Sequence, residues 1–155
     1  MTRWIVPRRW ILACALLLTQ AGCALPRWPA EGPVSSGWGL RWRGWLPEIH
    51  EGIDIALPEG TPVRTMAPGT VRFAGPMPGY GLMVSIDHGG DVTTLYGHLA
   101  DIQVRLGDRV SSRQVIALSG STGDVSGPHL HFEIRRWGRS EDPVPLLGGL
   151  PRSGR

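Results

Sequence analysis

Two of the chain's five histidines stand one residue apart in Gly-Pro-His-Leu-His-Phe-Glu-Ile, residues 127 to 134. In an extended strand successive side chains point to opposite faces, so His129, His131 and Glu133 share one face while Leu130, Phe132 and Ile134 share the other. The apolar face suits a core, which leaves two imidazoles side by side on the opposite surface. Alone, such a pair is weak ground for a metal, because strand histidines often do no more than hydrogen-bond. Other donors are present, however. His50-Glu51-Gly52-Ile53-Asp54 sets an imidazole and a carboxylate four residues apart, and Gly52 and Pro58 argue against a long helix there. With one histidine of the later strand they supply two nitrogens and one oxygen. Three protein ligands and one open position make a catalytic zinc site rather than a structural one. Zinc makes water acidic at about pH 7 and polarises a carbonyl, which suits hydrolysis of an unreactive amide. The same ligand types also fit a two-histidine, one-carboxylate iron centre.

His98, in Tyr96-Gly97-His98-Leu99, is a further candidate for the site. His88 precedes Gly89-Gly90, where a structural turn role is expected. Glu51 is expected to face solvent. Glu133 either touches the site from its strand face or makes a surface pair with an arginine. Trp38, Trp42, Trp45 and Tyr96 either line a groove or pack in the core.

Positioning these residues calls for strands. The chain has 155 residues, with 22 Gly and 14 Pro spread among short apolar runs, which implies one all-β domain of short strands and tight turns. Strands are expected at residues 63–66, 71–74, 82–87, 92–96 and 115–119, with turns at Pro78-Gly79 and Gly89-Gly90. A short helix is expected around residues 99–106.

The net charge of +3 raises nucleic acid as a partner. The excess sits in the leader: Arg3, Arg8 and Arg9 lie there, and the 13 acidic residues all follow Cys23, balanced by the remaining arginines. No nucleic-acid partner is expected. A basic start, an apolar run and small residues before a cysteine make a secretory signal over residues 1–22. Leu18-Thr-Gln-Ala-Gly-Cys23 resembles a bacterial lipobox, with Gln20 where the pattern usually has Leu. The likeness implies lipidation of Cys23, membrane attachment through it and, with Ala24 next, a periplasmic-side address at the outer membrane. Residues 23–32 read as a tether, 33–147 as the domain and 148–155 as a loose tail. Both cysteines, Cys14 and Cys23, belong to the leader, so a metal in the domain must be held by imidazole and carboxylate.

In chain order, His50-x-x-x-Asp54, Tyr96-Gly97-His98-Leu99 and the run Gly127 to Glu133 resemble the motifs of the LytM or lysostaphin-type zinc metallopeptidases. Ser35 to Arg41 also resembles the segment that opens this domain, and the likeness covers residues 33–147. It implies a compact antiparallel β-sandwich or open barrel with a groove, which hydrolyses peptide cross-links of peptidoglycan. By position, it makes His50, Asp54 and His131 the ligands of Zn2+, and His98 and His129 the catalytic pair. Some relatives have lost metal ligands and activate cell-wall amidases, so amidases or division proteins are alternative partners. This chain keeps all five site residues, which favours an enzyme. A biotinyl or lipoyl carrier, whose turn-and-strand rhythm residues 60–69 and 106–119 share, needs a lysine to modify. The chain has none.

Overall fold

A computed structural model describes residues 25–150. The leader, Cys23 and residues 151–155 lie outside the described residues, and with them the expected cleavage and lipidation. The described strands are β1 (Val34–Ser36), β2 (Gly39–Arg43), β3 (Leu46–His50), β4 (Ile53–Ala56), β5 (Pro62–Arg64) and β6 (Gly69–Met77). They continue with β7 (Gly81–Asp87), β8 (Val92–Ile102), β9 (Arg109–Val110), β10 (Val115–Ser119), β11 (His129–Arg136) and β12 (Arg139–Glu141), before one helical turn, α1 (Pro143–Leu146).

The fold is all-β and antiparallel, as the punctuated apolar runs imply. Ten strands form one branched sheet along β1-β4-β11-β8-β7-β6-β9, with β10 joining β5 and β8, and β12 added to β11. β2 and β3 form a separate hairpin. The period-two reading of β11 holds: Leu130, Phe132 and Ile134 are buried in the core with Ile53, Ile55 and Tyr96. Each such side chain contributes about 1.5–3 kcal/mol by leaving water. That burial fixes which face of β11 carries the histidines, since a one-residue slip would reverse both faces.

β8 is the strand on which the site turns. Its first part, Val92 to Gly97, pairs with β11, whereas Leu99, Asp101 and Ile102 pair with β10. The change of partner falls at His98, whose φ of 60° is left-handed. A non-glycine residue holds that conformation only when its surroundings enforce it. Here its N–H donates to the Tyr80 carbonyl at 2.7 Å.

Continuation of β8 to Ile102 replaces the short helix expected around residues 99–106. Seven or eight residues hold a helix poorly on their own, and β10 offers this stretch a ladder of hydrogen bonds instead. Residues 27–30, in the stretch expected as a tether, lie against the sheet. Arg27 N–H donates to the Met66 carbonyl at 3.1 Å, the Pro29 carbonyl accepts from Arg64 N–H at 2.8 Å, and Ala30 is buried.

Tyr96 belongs to the core, its hydroxyl accepting from Met66 N–H at 2.9 Å. Trp38, Trp42 and Trp45 are exposed, and of the three only Trp42 lines the groove described below.

His88 takes the expected structural role. Its Nδ1 donates to the Pro68 carbonyl at 2.8 Å, and its Nε2 lies 2.8 Å from Thr94 Oγ1. Burial pulls its pKa below the ordinary value, against the opposing pull of the Pro68 carbonyl. Once the pH drops below about 6.5, the unfolded chain binds a proton that the folded imidazole refuses, so stability falls with falling pH. His88→Gln is expected to flatten part of this slope. Its thermal midpoint, followed from about pH 7.5 to about pH 5, should fall less than the parent's.

Candidate active site

His50 ends β3, Asp54 lies in β4 and His131 lies in β11, directly opposite Asp54 in the ladder. All three are buried. His50 Nε2 lies 3.2 Å from Asp54 Oδ1 and 3.2 Å from His131 Nδ1, and the third side, from His131 Nδ1 to Asp54 Oδ1, is 2.9 Å. Bonds of about 2.0–2.2 Å to a tetrahedral zinc place neighbouring donors about 3.3–3.6 Å apart. The triangle is therefore within a few tenths of an ångström of the size zinc needs. Two nitrogens and an oxygen also match its ligand chemistry.

The far side of each donor is tied to a partner that turns the donor inward. His50 Nδ1 donates to the Gly37 carbonyl at 2.7 Å, which presents Nε2 to the triangle. His131 is reversed: Nε2 donates to Glu133 Oε1 at 2.9 Å and Nδ1 faces inward. Asp54 Oδ2 accepts from Arg41 Nη1 at 3.2 Å, leaving Oδ1 for the site. Outer partners of this kind fix imidazole tautomers and carboxylate orientation in metal centres. Gly52 makes the approach of the β3–β4 turn to β11 feasible, since a Cβ there would strike the Phe132 carbonyl and come within 3.0 Å of His131 Cε1.

His98 and His129 stand together beside the triangle, their ring centroids 4.7 Å apart and edge-on. His98 Nδ1 donates to the Thr122 carbonyl at 2.9 Å and His129 Nδ1 to the Gly127 carbonyl at 2.8 Å. His129 Nε2 lies 3.7 Å from Asp54 Oδ1. All five histidine and aspartate candidates, His50, Asp54, His98, His129 and His131, thus converge on one place.

Electrostatics separate their states. For Asp54, burial alone would raise the pKa, but the hydrogen-bonded imidazoles of His131 and His50 outweigh it and hold the carboxyl well below the carboxylate range. Burial opposes charge on His131 too, yet Asp54 on one side and Glu133 on the other raise its pKa. His98 goes the other way. Burial, with help from the neighbouring His129 and His131, lowers it to about 4, so it is neutral at neutral pH.

The cluster opens into a groove of about 740 Å³, lined among others by Trp42 and Ile49 of the β2–β3 hairpin, by Tyr80 and by residues 124–126. Glu51 is exposed as expected and pairs with Arg135 at 2.6 Å. Glu133 touches His131 from its strand face, and it pairs with Arg135 at 2.7 Å from a fully buried position rather than at the surface. Sequence reasoning did not single out Arg41 or Tyr80. Arg41 was visible only as the last residue of the opening segment, and Tyr80 only as part of a Gly-flanked turn.

The model of Peptidase family M23 matches residues 48–143, a span that includes all five candidates. The murein hydrolase activator EnvC of Escherichia coli is 38% identical over 86% of this chain and 32% of its own length. The DD-carboxypeptidase/endopeptidase Mpg of Neisseria meningitidis is 44% identical over 76% of this chain and 28% of its own length. The chain thus spans about a third or less of the length of these curated relatives, 32% and 28%. The crystal structure of a zinc-containing peptidase from Vibrio cholerae superposes with a TM-score of 0.71 at 33% identity, covering 79% of this chain and 39% of the other. With motifs, fold and family model in agreement, the chain belongs to peptidase family M23, the LytM and lysostaphin type.

Proposed function

We propose that the protein is a zinc-dependent endopeptidase that hydrolyses peptide cross-links of peptidoglycan on the periplasmic side of the cell envelope. The observation that carries this reading is the convergence of His50, Asp54 and His131 with His98 and His129 in one open groove. His50 Nε2, Asp54 Oδ1 and His131 Nδ1 would hold the ion. Zinc there supplies Lewis acidity, polarising the scissile carbonyl and making water ionisable at about pH 7. His98, neutral with Nδ1–H tied to Thr122, offers its Nε2 lone pair to take a proton from the attacking water and pass it to the leaving amine. His129, tied at Nδ1 to Gly127 and beside His98, would steady the charge that develops on the carbonyl oxygen. Trp42 and Tyr80, which both line the groove, would keep the peptide extended across the cluster.

The envelope address follows from the signal-like leader and from Cys23, whose lipidation would attach the domain to the outer membrane. A second reading is favoured by one observation, the likeness to a murein hydrolase activator: the same groove would then engage a cell-wall amidase. Mass spectrometry of products from purified sacculi separates the two. Direct action gives shortened or uncross-linked peptides with the chain alone. Products that arise only after an amidase is added would overturn the enzyme reading in favour of the activator.

A further inference from the structure

Behind His131 lies a continuous set of polar contacts to which the proposed reaction gives no part beyond the place of the Tyr80 ring in the groove. Glu133 is completely buried. Its Oε1 accepts from Tyr80 Oη at 2.6 Å and from His131 Nε2 at 2.9 Å, and its Oε2 accepts from Arg135 Nε at 2.7 Å. Arg135 Nη2 goes on to Glu51 Oε2 at 2.6 Å and to Tyr80 Oη at 3.4 Å. A carboxylate shut off from water is costly unless a charge and donors compensate it. Here a guanidinium, a phenol and an imidazole do so. Tyr80 also reaches toward the other half of the site. Its ring stands edge-on to that of His131 at 5.5 Å, and its backbone carbonyl accepts from His98 N–H at 2.7 Å, at the left-handed bend of β8.

We propose that Glu133, held by Tyr80 and Arg135, is a positioning residue that keeps His131 Nδ1 aimed at the metal position, and that Tyr80 couples this alignment to the bend that carries His98. Glu133 acts through His131 and does not touch the reacting atoms. It sits behind the far nitrogen of that ring, and both of its oxygens are occupied. A carboxylate on the outer nitrogen fixes the tautomer of a ligating imidazole and raises its basicity. Arg135 keeps the carboxylate from needing water, and Glu51 anchors the guanidinium from the surface. The inference rests on the zinc reading above.

Its test measures zinc affinity of the full chain, by competition with a chromophoric chelator, for the parent, Glu133→Gln, Tyr80→Phe and the double variant. Unfolding of the zinc-free forms is followed in parallel. Glu133→Gln is expected to weaken zinc binding about 10–100-fold. Tyr80→Phe removes one hydroxyl from a half-buried ring and should weaken it by about 10-fold, the lower end of that range, with little change in zinc-free stability. The double variant should be no weaker than Glu133→Gln, because both act through one carboxylate. If Glu133→Gln does not fold, Tyr80→Phe decides alone. Unchanged zinc affinity in the folded variants overturns the inference and leaves the zinc reading standing. A parent chain that takes up no zinc overturns both.

Discussion

His131→Ala is expected to abolish tight zinc retention and to reduce peptide release from sacculi to background. The reason is geometric: His131 Nδ1 lies 2.9 Å from Asp54 Oδ1 and 3.2 Å from His50 Nε2, and so forms two of the three sides of the donor triangle. Without it, one nitrogen and one carboxylate oxygen remain, too few to hold zinc in a catalytic site. Removal of a single oxyanion donor costs about 10²–10³ in rate in other hydrolases. Loss of the ion removes both carbonyl polarisation and the acidity of water, so the drop should exceed about 10³-fold. The alanine also strips Asp54 and Glu133 of the imidazole between them, leaving Glu133 to Tyr80 and Arg135 and Asp54 to Arg41 and His50. Circular dichroism must therefore show a folded variant before its activity is read. Zinc content by elemental analysis and product release by mass spectrometry check the expectation. Chelation of the parent should give the same loss, restored by added zinc, whereas added zinc should not restore the variant. Undiminished release by a folded His131→Ala would sink the zinc mechanism.

Which parts of this site were legible in the sequence follows from how local each signal is. The two faces of β11 could be read directly, because side-chain alternation depends on nothing beyond the strand itself: Leu130, Phe132 and Ile134 face the core, and His129, His131 and Glu133 the opposite side, where the site lies. The link to His50 and Asp54 is a matter of register. Spacing brought an imidazole and a carboxylate near each other, but only the β4–β11 ladder sets His131 opposite Asp54. His98 was visible only as a residue in a motif. Its direction depends on β8 leaving β11 for β10, a tertiary choice that residues 92–102 alone do not state, and the same choice replaced the expected helix. Arg41 and Tyr80 lay beyond reach for a similar reason. An arginine thirteen positions before Asp54 and a tyrosine fifty-three before Glu133 become partners only when the sheet closes.

His98→Ala should leave zinc content intact while lowering kcat by about 10²–10⁴, the range for a lost proton-transfer group. His98 is not among the three donors that converge within 4.8 Å of one another, so the ion's own contacts survive. If the groove holds the substrate as proposed, KM should change far less than kcat, the mark of an interaction made chiefly in the transition state. The pH profile sharpens the expectation. With its pKa lowered to about 4 by burial and the adjoining imidazoles, His98 is mostly neutral through the ordinary histidine range and has its Nε2 free to accept a proton there. An acid limb in the parent's kcat near the ordinary histidine range would therefore belong to a group other than His98, and it should persist in the residual activity of His98→Ala. Were that limb to vanish in the variant, the assignment of His98 as the standing base would fail. His129→Ala supplies the contrast. If the two imidazoles serve one proton-transfer event, the double variant should lose little more than the worse single one, as groups acting as a unit do. Multiplicative losses would instead mean that proton acceptance and oxyanion stabilisation are independent contributions, one from each ring.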